Sequence, residues 1–127
     1  MSAQPQIRTS ADDAAGVAMR SQVLFRELNE QIRSLADGFD LGTDLDLVCE
    51  CTNGGCFERI TISPEDYEAV RRFPTRFMVK AGHATAEVER IVEEKARFVV
   101  VEKIGADAES AIRLDPRRAG ARREGIA

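Results

Sequence analysis

The stretch Leu45-Asp46-Leu47-Val48-Cys49-Glu50-Cys51-Thr52-Asn53-Gly54-Gly55-Cys56 decides how the chain is read. Leu45, Leu47, Cys49 and Cys51 alternate with Asp46, Val48 and Glu50, the period of two of a half-buried strand whose alternate side chains point to one side. Thr52-Asn53-Gly54-Gly55 supplies residues that accept left-handed backbone, as a tight reversal requires. A second strand follows, with Cys56, Ile60 and Ile62 on one face. The stretch predicts a hairpin whose turn swings Cys56 back toward the sulfurs of Cys49 and Cys51. Glu50 and Glu58 are expected on its solvent face.

The only histidine, His83, stands in Ala81-Gly82-His83 after a third expected strand, Arg76 to Ala81, and has the parity of its apolar face, Phe77, Val79 and Ala81. Zinc takes four ligands in a tetrahedron, and three thiolates with one imidazole are a common structural set. Cys49, Cys51, Cys56 and His83 are therefore the candidate zinc ligands. Three other readings compete. Free cysteines often serve as small buried hydrophobes, Cys51 and Cys56 can form a disulfide across the turn, and three cysteines with a histidine can hold an iron-sulfur cluster, although this spacing fits no ferredoxin pattern.

Outward from the hairpin the pattern predicts an α+β fold: a mostly antiparallel sheet of about four strands, an N-terminal amphipathic helix and two further short helices. Ser63-Pro64-Glu65-Asp66 opens a helix, with Ser63 as cap, Pro64 at the first position and both acids at the positive end. Tyr67, Val70 and Phe73 form its apolar edge, and Phe73-Pro74 ends it. Thr85 is read as the cap of another short helix, with Val88, Ile91 and Val92 inside and Glu87, Glu89, Arg90, Glu93 and Glu94 in water. Arg97 to Ile104 is β-branched enough to be a central strand. In the N-terminal helix, from about Met19 to Gly38, Phe25, Leu28, Ile32, Leu35 and Phe39 recur at helical spacing, while Arg26, Glu27, Asn29, Glu30 and Arg33 take the polar faces. The stripe is too short for a stable coiled coil; it fits packing on the protein's own sheet, or docking on another protein or a second copy.

Residues 1–16 show no apolar period and are expected to be disordered, and 17–112 form a single zinc-binding domain. Residues 113–127 carry Arg113, Arg117, Arg118, Arg122 and Arg123 against Asp115 and Glu124, and read as a disordered basic tail. With 18 Lys+Arg against 22 Asp+Glu in 127 residues, the net charge is -4. That opposes a protein built to grip nucleic acid, leaving only the tail for such contact. No apolar run reaches membrane-spanning length and no signal segment is seen, so a cytoplasmic protein is expected.

Val48-Cys49-Glu50-Cys51-x4-Cys56, the Ser63-to-Val70 helix, Arg76-Phe77-x-Val79-x-x-Gly82-His83 and Val99-Val100-Val101-Glu102-Lys103 together resemble a family of small uncharacterised bacterial proteins, from about Phe25 to Gly105. The resemblance implies that Cys49, Cys51, Cys56 and His83 act as one site and names no activity. Motifs of zinc deaminases, HExxH proteases, P-loops and dinucleotide folds are absent. A histidine used as ligand cannot also be a general base, so the reading favours a structural zinc module that binds or regulates a partner. A zinc-thiolate redox switch or metal sensor is the alternative, ahead of a DNA-binding regulator or a small metal-dependent enzyme.

Overall fold

The computed structural model describes residues 11–39 and 44–118, and within the first helix the side chains of residues 19–36. The fold is α+β: α1 (Ala11–Phe39), β1 (Leu45–Val48), β2 (Arg59–Ile62), α2 (Pro64–Arg71), β3 (Arg76–Val79), β4 (Glu89–Glu94), β5 (Val99–Lys103) and α3 (Ala106–Arg113). The strands form two antiparallel sheets, the β1–β2 hairpin and a three-stranded sheet in the order β3-β5-β4. No described helix is long and apolar enough to cross a membrane.

The second helix follows its sequence signals. Ser63 Oγ accepts from Asp66 N–H at 3.0 Å, Pro64 opens the helix and Arg71 lies in its last turn. Tyr67 and Val70 are buried, whereas Phe73 is exposed and lies under the Arg76 guanidinium, 4.1 Å from its ring centroid. β5 is central as expected, with Val99, Val100 and Val101 buried.

The expected helix after Thr85 is instead a single turn, closed by Val88 N–H to Thr85 O at 3.0 Å, followed by edge strand β4 with an irregularity between Ile91 and Glu93. The apolar spacing suits either form, but β5 presents an open ladder that β-branched Ile91 and Val92 are suited to fill. Glu89, expected in water, is buried and accepts from Lys103 Nζ at 3.0 Å, Gln22 Nε2 at 3.2 Å and Thr85 N–H at 2.8 Å.

α1 buries a different face from the one its apolar stripe predicts. Phe25 is buried and Ile32 partly so, but Leu28 and Leu35 are exposed, and the Phe39 side chain lies outside the described residues. The inward face carries Met19, Gln22, Val23, Arg26 and Asn29. These polar groups enter because they satisfy buried partners. Arg26 donates to Pro74 O at 2.7 Å and Ala111 O at 3.0 Å, its guanidinium 4.5 Å from the Phe77 ring centroid. Asn29 Nδ2 donates to Val48 O at 2.9 Å and its Oδ1 accepts from Val48 N–H at 2.9 Å. Arg26 Nε and Arg71 Nη1 are the buried side-chain nitrogens without a hydrogen bond among the described residues.

Both expected boundaries also move. α1 begins at Ala11, so residues 11–16 are helical; residues 1–10 lie outside the described residues. At the other end, Asp115 is buried against Arg71, and Arg117 grips Glu30 (Nε to Oε1, 2.6 Å) and Glu68 (Nη2 to Oε2, 2.8 Å). Tyr67 donates to Glu30 Oε2 at 2.5 Å, and Arg33 Nε meets Glu68 at 3.2 Å. The chain through Arg118 thus belongs to the body, held by carboxylates that a count of tail arginines does not reveal.

Candidate metal centre

β1 ends at Val48, three residues before the expected strand end, yet Cys49 N–H still donates to Glu58 O at 2.9 Å and keeps the hairpin register. Beyond it, Asn53 makes the reversal. Its Oδ1 accepts from Gly55 N–H at 2.9 Å and its carbonyl from Cys56 N–H at 3.0 Å, which turns Cys56 inward. Gly54 seats the turn against α1, where a Cβ would lie 2.9 Å from Ser21 Oγ.

The imidazole arrives from β3. The chain leaves that strand after Val79, exposes Ala81, and reverses at Gly82, whose φ of 86° suits glycine, with His83 N–H donating to Lys80 O at 2.9 Å. Strand parity therefore does not place His83; the turn does. Lys80 N–H donates to Cys49 Sγ at 3.2 Å, and the Thr52 and Thr85 hydroxyls meet at 2.8 Å, tying the two loops together.

Cys49, Cys51, Cys56 and His83 converge, with one ligand atom from each lying within 4.8 Å of the others. His83 Nδ1 is 3.5 Å from Cys49 Sγ and 3.6 Å from Cys56 Sγ. With bonds of about 2.3 Å to sulfur and about 2.0–2.1 Å to nitrogen, a tetrahedral zinc site has donor–donor edges of about 3.6–3.8 Å. The cluster can hold a metal ion. All three cysteines are free and buried, and His83 is half-buried.

Burial pushes the Cys49 thiol up; the Lys80 N–H opposes this, and the neighbouring sulfurs add to it. Burial likewise raises Cys51. Adjacent thiolates in this setting need a cation, so metal binding displaces protons.

Glu50 is the residue sequence reasoning misplaced. It is fully buried between Cys49 and Cys51 in the chain, and its backbone N–H donates to Met78 O at 2.9 Å. Its Oε1 accepts from Met78 N–H at 3.1 Å and its Oε2 from Asn29 Nδ2 at 2.8 Å. Gln22 Nε2 adds a bond to its carbonyl at 3.1 Å. Burial raises its pKa against the pull of these donors and of Arg71 and Arg26. Glu50 thus clamps the cysteine loop to β3 and α1. The available signal was that Gln22, Arg26 and Asn29 recur at helical spacing, as an apolar face would. Glu58, by contrast, is exposed as expected.

No family model, curated protein or solved structure matches the chain, and nothing there bears on the resemblance to small bacterial proteins.

Proposed function

We propose that the chain is a small zinc-binding module in which Cys49, Cys51, Cys56 and His83 hold one zinc ion in a structural role, and that the module serves to bind or regulate another protein. The convergence of those four donors within 4.8 Å carries this reading. Three sulfurs and a nitrogen suit zinc, and four protein ligands leave no position for substrate, as in closed structural sites. The ion would join the hairpin loop to the turn after β3, adding its binding energy to folding. Burial of all three sulfurs speaks against the redox-switch alternative, which needs thiolates within reach of an oxidant. The engagement of Arg117 by Glu30 and Glu68 takes one cation from the tail that a DNA-binding reading would use.

Elemental analysis of protein purified without added metal tests the reading. About one zinc per chain is expected, lost in Cys49→Ser. A metal-free protein with three titratable thiols and an unchanged melting temperature overturns it. Slow release of zinc to a chromogenic chelator under mild peroxide is expected; rapid release with loosening of the loop favours the switch.

A further inference from the structure

The two outer edges of the β1–β2 hairpin are finished differently. In an antiparallel pair, residues that exchange backbone bonds alternate with residues whose N–H and C=O point outward. Cys49 N–H bonds Glu58 O, and the register puts Leu47–Ile60 and Leu45–Ile62 in the same phase. Val48 on β1, and Arg59 and Thr61 on β2, therefore turn their backbone groups outward. On the β1 side Asn29 takes both groups of Val48 with one side-chain amide. On the β2 side, the backbone groups of Arg59 and Thr61 have no partner among the described residues.

A groove of about 550 Å³ runs along that open edge, lined by the consecutive residues 58–61 and faced by Lys80, His83 and Arg97. Consecutive lining means that the strand shows the groove its edge, since one face would offer alternate residues only. Past Thr61 it adjoins a further space of about 310 Å³ lined by residues 61–63, Asp44, Asp66, Lys95 and Arg97, where the charges balance. Arg59, Lys80 and Arg97 line the groove with Glu58, three cations to one acid on a chain of net charge -4. Arg59 is paired with Asp46 at 2.5 Å and Arg97 lies 4.0 Å from Asp44, whereas Lys80 has no ion-pair partner among the described residues.

We propose that the open edge of β2 accepts an extended segment of a partner protein as an added strand, with an acidic side chain of that segment against Lys80 beside His83. Main-chain bonds to Arg59 and Thr61 supply affinity, and Lys80, the cation that the ion pairs leave free among the described residues, sets register and favours an acidic partner residue. The proposal rests on the binding-module reading and gives it a partner class.

The test is selection of a displayed library of random nine-residue peptides on the full-length protein as purified, with zinc content measured on the same preparation. Enriched peptides are expected to carry acids among β-branched residues, and to bind less tightly as salt rises. Synthetic copies should slow amide exchange at Arg59 and Thr61, and bind at least tenfold more weakly to Thr61→Pro and to Lys80→Glu. Thr61→Pro removes an outward N–H and spares the β1 ladder; zinc content and circular dichroism check its fold, and Lys80→Glu reads the same edge without touching the backbone. Failure to enrich, binders indifferent to both variants, or a dimer of the chain alone that Thr61→Pro dissociates would each overturn the proposal. A zinc-loaded protein without peptide binding sinks this inference alone, and a zinc-free protein that binds through Thr61 sinks only the metal reading.

Discussion

Two clusters join segments distant in sequence. One gathers three thiols and an imidazole where Ser21 and Gln22 of α1 meet the hairpin loop; the other gathers Arg71, Arg117, Asp115, Glu30 and Glu68 where α1 meets α2 and the residues after α3. The second cluster carries its own counter-charges. The first holds sulfurs whose ionised forms burial opposes, so on the proposed reading its strength depends on a bound metal. On that reading a chelator would withdraw cohesion of the first kind, whereas the second yields only to protons or mutation.

The largest effect should come from the conditional cluster. Cys49→Ser should abolish zinc retention and cost more than about 5 kcal/mol, enough to unfold a domain whose total stability is typically about 5–15 kcal/mol. Zinc content and urea denaturation check it, and a folded variant with near-normal stability would erase the distinction. Asp115→Ala should cost about 3 kcal/mol by leaving Arg71 buried with only Glu30 opposite. Its zinc content should not change, and parallel loss of zinc would mean that the clusters form one unit.

Acid should take the clusters apart in sequence. Burial raises the Glu30 carboxyl, but hydrogen bonds from Arg117 and Tyr67 and the charge of Arg71 outweigh it and hold it below the ordinary 4.5. Arg117 does the same for Glu68 against burial. A carboxylate whose folded pKa is depressed contributes stability above the unfolded value, and that stability is lost as pH falls through the folded one. The ionic cluster should therefore weaken only below about pH 4.5, after the proposed zinc has been released in milder acid, since metal binding is opposed by protons. Chelator absorbance and circular dichroism followed together should show two steps; one coincident step breaks the comparison.

The smallest effects lie on α1. Asn29→Ala strands both backbone groups of Val48 and should cost about 2 kcal/mol, whereas Leu35→Ser, at an exposed position, should stay within about 0.5 kcal/mol. Urea midpoints compare them directly, and the reverse ranking would restore the apolar stripe as the packing face.

That stripe shows where sequence reading stops. The hairpin, the Ser63 cap, the central β5 and the four clustered residues were legible because each rests on a local pattern: alternation, capping chemistry, β-branching or residue type. The inward face of α1 was not, because apolar periodicity assumes that burial follows hydrophobicity, and Arg26 and Asn29 are buried for the backbone groups they satisfy. Glu50 and Glu89 misled for the same reason, since their partners come from Met78, Asn29, Gln22 and Lys103. β4 was read as a helix because a short apolar run suits either form until the neighbouring strand is known.

Arg26 also joins distant parts of the chain. α3 is eight residues long, shorter than a helix that persists alone in water, which takes about 12–15 residues. The Ala111 carbonyl lies in its last turn, where carbonyls lack intrahelical donors and the helix dipole is negative. The donor comes from a residue 85 positions earlier. α3 therefore leans on α1 as well as on β5, whose Lys103 faces Asp107. A helix too short to stand alone thus borrows one of its end partners from the far side of the sequence, and Arg26→Ala is expected to speed amide exchange across 106–113.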